Sequence, residues 1–389
     1  MRLSKKIARL GTESAFKVLA QAQALEARGM DVVHLEIGEP DFDTPKNICD
    51  ACADAVGKGY THYCNSQGIL PLRAEIAREI ERTRGVSISP ERIVVTPGAK
   101  PIIFYSILAL LEEGDEAIYP NPLFPIYESM INFTGAKSVA IPLREELEFR
   151  LDLDELKSTI TPRTKLIIIN SPHNPTGGVL EKDDIRSIAD LARKHDIIVL
   201  SDEVYEHIIY EGEPLSIASL PGMLDRTILL SGFSKTYAMT GWRLGYAVMP
   251  PQLVDPVVRL IVNSVSCTPT FIQHAGIEAL TGPQDSIPKM VDEFRKRRDL
   301  IVEGLNKIPG ISCLLPKGAF YVFPNVKKLG MGSKQLANYL LEEAGVATLS
   351  GTDFGRYGEG YLRLSYATSL ENIKKALERI NTAVVKLKT

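Results

Sequence analysis

The chain has 389 residues with a formal net charge of −3, 44% of them hydrophobic and 24% charged. These values match an ordinary globular protein and exclude a disordered or fibrous one, and the length allows two or three domains of roughly 100–200 residues each. The slight negative charge gathers no nucleic acid. No apolar stretch reaches the length of a membrane span, and the start MRLSKKIARL lacks the apolar core of a signal peptide. A cytoplasmic protein with neither nucleic acid nor membrane as partner is expected.

In chain order, a polar N-terminal arm over residues 1–45 carries Gly38-Glu-Pro-Asp-Phe42 and is expected to pack with a small C-terminal domain. Cys49 and Cys52 follow in a helical setting. With no second pair at zinc spacing they read as ordinary helix residues. Five scattered cysteines fit a reducing compartment, and the six histidines form no H-E-x-x-H, so no catalytic metal is expected.

From about residue 90, short β-branched runs alternate with helical patterns, which predicts βαβ units and a mainly parallel sheet. The clearest strands are 93–96, 117–119, 166–170, 197–201 and 228–231, each apolar enough to be buried on both faces. Helices are predicted over 101–113, before Gly114, and over 182–194. The fold class is therefore α/β: a doubly wound large domain over 46–285 and a smaller α/β domain over 286–389. The latter starts with a charged helix whose Arg295-Lys296-Arg297-Arg298 run reads as a solvated face. It continues through Gly318-Ala-Phe-Tyr-Val-Phe, a helix near 333–344 and Leu362-Arg363-Leu-Ser-Tyr366.

Four strands end in chemically rich tails: Thr96-Pro-Gly98-Ala99-Lys100, Asn170-Ser-Pro-His-Asn174-Pro-Thr-Gly177, Ser201-Asp202-Glu-Val-Tyr205 and Ser231-Gly-Phe-Ser234-Lys235. Ligands of open α/β sheets bind outside the carboxyl ends of the strands, so these tails should converge on one crevice. Gly98 opens a helix, whose free N–H groups make an anion site and phosphate a plausible guest. The G-x-G-x-x-G and G-x-x-x-x-G-K-[ST] fingerprints are missing after the predicted strands, which removes the main support for NAD or ATP.

The ordered set Gly38-Glu-Pro-Asp-Phe42, Asn174-Pro-Thr-Gly177, Asp202-Glu-Val-Tyr205, Ser234-Lys235 and Gly241-Trp-Arg243-Leu-Gly245 resembles the class I/II aminotransferases of fold type I, over nearly the whole chain. Within that family it is similar to the prokaryotic aspartate and aromatic branch. The resemblance implies pyridoxal 5'-phosphate as cofactor, held as a Schiff base on Lys235, which also serves as the proton carrier.

It further implies Asp202 at the pyridine nitrogen, Asn174 and Tyr205 on the phenolic oxygen, and Phe124 stacked on the ring. The phosphate falls to Gly98, Ala99, Lys100, a hydroxyl near Lys235, Arg243, and a tyrosine from the other subunit of a homodimer, matched by Tyr63. Arg363 takes the substrate α-carboxylate beside Gly38 and Asn174, and Lys100 meets the distal carboxylate of a dicarboxylic substrate.

Each residue has a plainer reading as well. Lys235 or Arg363 alone would be a surface charge, Asp202 a helix cap, Tyr205 or Phe124 core packing, Asn174 part of an Asn-Pro turn, and Lys100 a lysine in solvent. Many relatives carry Ser where this chain has Gly232, so Ser234 or Ser231 has to supply the hydroxyl.

The expected function is transfer of an amino group from an L-amino acid, aspartate first, to 2-oxoglutarate by a ping-pong mechanism. Aromatic or alanine preference and a β-lyase on the same fold are alternatives. A non-catalytic cofactor-binding regulator is a remote one, disfavoured because Gly38-Glu-Pro-Asp-Phe42 follows only a short arm.

Overall fold

The computed structural model describes residues 3–387. Its strands are β1 (Val33–His34), β2 (Ile93–Thr96), β3 (Glu116–Asn121), β4 (Lys137–Pro142), β5 (Thr164–Asn170), β6 (Ile198–Asp202), β7 (Thr227–Gly232), β8 (Gly245–Val248), β9 (Tyr321–Val322), β10 (Val346–Ala347), β11 (Leu349–Ser350) and β12 (Leu362–Ser365). Seven of them form one sheet in the order β2-β8-β7-β6-β5-β3-β4. Only β8 runs antiparallel to its neighbours; the remaining pairs are parallel. The chain is thus the expected α/β protein with a mainly parallel large sheet.

The apolar runs explain this arrangement. The Leu-Ile-Ile-Ile stretch of β5 is buried throughout because helices cover both faces of the sheet, so neither side chain direction meets water. One cover is the helix Lys182–His195, which buries Ile185, Ile188, Ala189 and Ala192 at helical spacing. Reciprocal bonds between Glu181 and Asp184 cap its start, and Asp196 ends it in the left-handed region at φ 53°. The helix expected over 101–113 is shorter, Lys100–Leu110, because Leu111 is already extended before the turn at Gly114.

Beyond the large sheet, β9, β11 and β12 make a three-stranded antiparallel sheet in the order β11-β12-β9. A core that includes Phe294, Phe320, Leu336, Leu340, Ile373 and Ile380 joins it to the helices Ser286–Asn306, Ser333–Ala344 and Leu370–Lys386. β1 pairs in parallel with β10, so the N-terminal segment is stitched to this part of the chain. That segment also contains a helix, Ala15–Glu26, and reaches across to the large sheet's cover, where the Gly11 N–H donates to Ser129 Oγ at 2.8 Å.

The basic run in Ser286–Asn306 corrects the expectation of a solvated face. Helical periodicity places Arg297 and Arg298 with Phe294 and Ile301 on the inward side, and both arginines are buried. Arg297 donates to Asp41 Oδ1 at 2.6 Å, Arg298 to Glu211 Oε1 at 3.0 Å, and Arg295 to the Tyr210 carbonyl at 2.9 Å. Of the four, only Lys296 is mainly in water. The run is a polar seam to the rest of the fold.

Among the described residues no helix is long and apolar enough to cross a membrane, and no group of three or more His, Cys, Asp or Glu side chains is placed to hold a metal ion. All five cysteines are free thiols, with Cys49 and Cys52 on the helix Lys46–Gly57.

Candidate active site

The tails of β2, β5, β6 and β7 meet at one cavity of about 840 Å³. Ala99, Lys100, Asn174, Asp202, Tyr205, Ser234, Lys235 and Arg243 all line it, although they come from five separate stretches of sequence. Gly38, Phe124 and Arg363 complete its wall. Gly98 lies just behind. It has φ +89°, and a Cβ there would overlap the Arg243 guanidinium, so the turn and the arginine fit together only with glycine. Tyr63 is the exception: it is 90% exposed and is not part of this wall.

Lys235 sits on the short helix Phe233–Thr236 that follows β7. Its Nζ donates to the Gly38 carbonyl at 2.6 Å and lies 6.0 Å from the Tyr205 ring centre and 5.7 Å from that of Phe320. Burial lowers its pKa from the usual 10.5 to about 8; Glu39 opposes the shift, and the positive charges of Arg363, Arg243 and Lys100 add to it. An amine in this position is free base to a useful degree near neutral pH.

Asp202 ends β6 and is buried, which raises its pKa from 3.8 to about 6, against the bonds it accepts from Tyr127 and the Val204 N–H. The Val204 bond to Oδ1, at 3.2 Å, is the local cap expected of an aspartate here, yet the carboxyl also lines the cavity. Asn170 holds the neighbouring tails together: its Nδ2 donates to the Asp202 carbonyl at 3.1 Å and its Oδ1 accepts the Asn174 N–H at 2.9 Å.

The Tyr205 hydroxyl lies 2.7 Å from that of Tyr321, and burial raises its pKa well above the usual 10. The Arg363 guanidinium rests 4.6 Å over the Tyr321 ring and 5.2 Å from Phe354, and it donates to the Glu36 carbonyl. Tyr127 and Tyr321 were not foreseen as site residues. Each touches a foreseen one, and only order in space relates them.

Of the two candidate hydroxyls, Ser231 is turned away and donates to Glu206 Oε1 at 2.9 Å, whereas Ser234 lines the cavity. Gly232 has a steric reason: a Cβ would stand 3.2 Å from both Gly245 Cα and the Leu244 carbonyl of the adjoining β8. Lys100 is neither free in solvent nor alone. It forms an ion pair with Glu13, and its Nζ lies 5.2 Å from the Phe124 ring centre.

The polar inventory suits an anionic aromatic guest. Among the described residues no carboxylate lies within ion-pair distance of Lys235, Arg243 or Arg363, and Arg363 is only 3% exposed. Buried Asn174 Oδ1 and Arg363 Nε have no hydrogen-bond partner. Buried charge and unpaired polar atoms are costly, so these groups call for a bound partner rich in anionic oxygens. Asp202 is the buried acid among the described residues that line the same space, whose wall also includes Phe124.

The family model of aminotransferase class I and II matches residues 30–380. The chain is 41% identical over 384 residues to the aromatic-amino-acid aminotransferase 2 of Thermococcus litoralis, covering 98% of this chain and 97% of that one. It is 44% identical over 359 residues to the aspartate aminotransferase of Pyrococcus abyssi, covering 91% and 92%. Its fold superposes on the aspartate aminotransferase of Thermus thermophilus with maleate at a TM-score of 0.95 and 38% identity, covering 98% and 100%. Matches of this extent carry both fold and chemistry, and the chain belongs to the class I and II aminotransferases of fold type I, in their aspartate and aromatic branch.

Proposed function

We propose that this aminotransferase uses pyridoxal 5'-phosphate and moves the amino group of an L-amino acid, aspartate first, to 2-oxoglutarate in two half-reactions. The observation that carries the reading is the cavity lined by Lys235, Arg243 and Arg363, none of which forms an ion pair among the described residues, with Asp202 buried at its wall. Bound there, the cofactor supplies an electron sink that makes the substrate Cα–H acidic, and it stores the amino group between half-reactions.

The protein's own residues have distinct tasks in this reading. Lys235 anchors the cofactor and takes the proton from the substrate Cα, for which a pKa of about 8 suits it. Asp202 keeps a negative charge at the ring nitrogen. Tyr205 and Asn174 offer a hydroxyl and an amide to the phenolic oxygen, and Phe124 covers the ring face. Gly98, Ala99, Lys100, Ser234 and Arg243 surround the phosphate, with Arg243 as the planar fork. Arg363, with its unpartnered Nε, takes the α-carboxylate beside Gly38 and Asn174.

Tyr63, exposed and outside the cavity, fits a contribution to the phosphate site of a second subunit, hence a homodimer with shared sites. We place an N-terminal arm over 1–45, a large cofactor domain over 46–285 and a small domain over 286–389. Five free thiols suit a cytoplasmic setting.

Lys100 at the wall supports dicarboxylic substrates. A second reading, that aromatic amino acids are also accepted, is favoured by Phe16, Leu19, Ile37, Ile103 and Phe124 along the same wall. The deciding experiment follows the absorbance of the bound cofactor as aspartate, phenylalanine, tyrosine or alanine is added, followed by 2-oxoglutarate. Conversion by aspartate and its reversal by 2-oxoglutarate are expected. Release of free ammonia with the cofactor left in its aldehyde form, in place of conversion to its amine form, would sink transamination in favour of β-elimination.

A further inference from the structure

We infer that Glu13 is a specificity-determining residue: an internal carboxylate that occupies Lys100 and is displaced only by a dicarboxylic substrate. The inference rests on the reading of Lys100 given above and deepens it.

Glu13 lies in the irregular stretch between the turn Lys5–Arg9 and the helix Ala15–Glu26. Its backbone surroundings are held on both sides. The Gly11 N–H donates to Ser129 Oγ at 2.8 Å, and Ser14 Oγ donates to Asp353 Oδ1 at 2.6 Å. The stretch is thereby held against the cavity, with Glu13 and Lys100 both in the wall and paired to each other. A side chain between two such anchors can rotate without the stretch leaving its place.

The electrostatics then divide substrates into two classes. A neutral aromatic side chain lies along Phe16, Leu19 and Phe124 and leaves the pair intact. A distal carboxylate approaching Lys100 meets a carboxylate already there. It has to expel Glu13 or share the cation with it, and like charges a few ångströms apart repel. Glu13 thus lowers dicarboxylate affinity while sparing the aromatic class, which is discrimination by an unfavourable contact against one ligand. The plainer role for Glu13, an acid near a helix N-terminus, gives no dependence on Lys100.

The test uses the holoenzyme and its Glu13→Gln, Lys100→Met and double variants. The first readout is the ratio of kcat/KM for aspartate to that for phenylalanine in the donor half-reaction, measured from the cofactor absorbance without an acceptor. The second is the binding constant of succinate, a dicarboxylate with no amino group to react, measured by calorimetry. Glu13→Gln is expected to raise the aspartate-to-phenylalanine ratio roughly tenfold and to tighten succinate by a similar factor. In the Lys100→Met background the same change should move either quantity by less than about twofold.

An unchanged or lowered ratio in Glu13→Gln overturns the inference, and so does an equal effect with and without Lys100. If no donor converts the wild-type cofactor, the proposed function fails instead, and succinate binding still decides the role of Glu13.

Discussion

The Tyr127 hydroxyl donates to Asp202 Oδ2 at 2.5 Å, within a wholly buried contact between the helix Ile126–Thr134 and the end of β6. Burial alone drives the Asp202 carboxyl toward its neutral form, and this bond works against it. A hydrogen bond to a charged group is worth roughly 1.5–3 kcal/mol, enough to decide whether Asp202 is ionised near neutral pH.

Tyr127→Phe is therefore expected to raise the Asp202 pKa above about 6. The sign follows from which form is bound: the hydroxyl stabilises the anion, so its loss lets the proton persist to higher pH. The acid limb of the pH–kcat profile should move upward by about one pH unit for a loss near 1.4 kcal/mol, lowering kcat about tenfold well down that limb and about twofold at pH 7. A profile superposing on that of wild type would show that Tyr127 is core packing only.

Lys235 gives a second pH prediction, made on the cofactor-free protein. Its pKa is lowered from 10.5 to about 8, so the reactive free amine appears as pH rises through 8, well before that of exposed lysines. Reductive labelling with a small aldehyde, read by peptide mass spectrometry, should show a midpoint near pH 8 for Lys235. A midpoint with the bulk of lysines would contradict the burial account. Lys235→Ala should abolish turnover, and the cofactor it binds should be removable by dialysis.

A third prediction concerns Tyr63. If its phenol completes the neighbouring subunit's phosphate site, the Tyr63→Ala and Lys235→Ala defects of a mixed dimer fall in one and the same site, leaving the other intact. Unfolding and refolding the two inactive variants together should restore roughly a quarter of wild-type activity, because half the dimers are mixed and one of their two sites is sound. No recovery, with mixed dimers verified by mass spectrometry, would place Tyr63 in its own subunit's site and overturn the shared site.

How much of this was legible from sequence depended on the range of the interaction. β2 was read to the residue, because a strand buried on both faces is a continuous apolar run. β4 escaped: it is an edge strand whose Lys137 is exposed and whose central residues are half-buried, so its pattern is weak. In the site, Lys235, Asp202 and Asn174 were legible because each stands at or just after a strand end and carries chemistry a strand end can use, whereas Arg243 was legible only through the Gly241-Trp-Arg243-Leu-Gly245 motif. Tyr127 was not, since helical periodicity makes it a core residue and its partner is 75 positions away. Glu13 lies 87 positions from Lys100 in a stretch with no periodicity to show which way it points. Arg297 and Arg298 were misread because charge suggested solvent while their carboxylate partners came from distant segments.

The last prediction tests a buried charge cluster that backs the site. Arg84, the final residue of the helix Leu70–Arg84, donates to Glu203 Oε2 at 2.8 Å and pairs with Glu206. Glu203 Oε1 also accepts from Ser201 at 3.1 Å and from Ser216 at 2.7 Å, and Glu206 accepts from Ser231. Glu203 follows Asp202 directly and Glu206 follows Tyr205 directly, and Glu206 also accepts from Ser231 of β7, so one cation fastens the tails of β6 and β7. Arg84→Leu would strand the buried Glu203 carboxylate and the partly buried Glu206, which costs about 3–5 kcal/mol. Urea unfolding should show that loss as a lower midpoint with an unchanged slope. The triple variant Arg84→Leu, Glu203→Leu, Glu206→Leu should recover much of the stability, because it removes the stranded charges. If the cluster also sets the height of Asp202 and Tyr205, that variant will regain stability without regaining kcat; full recovery of both would make the cluster a matter of folding alone.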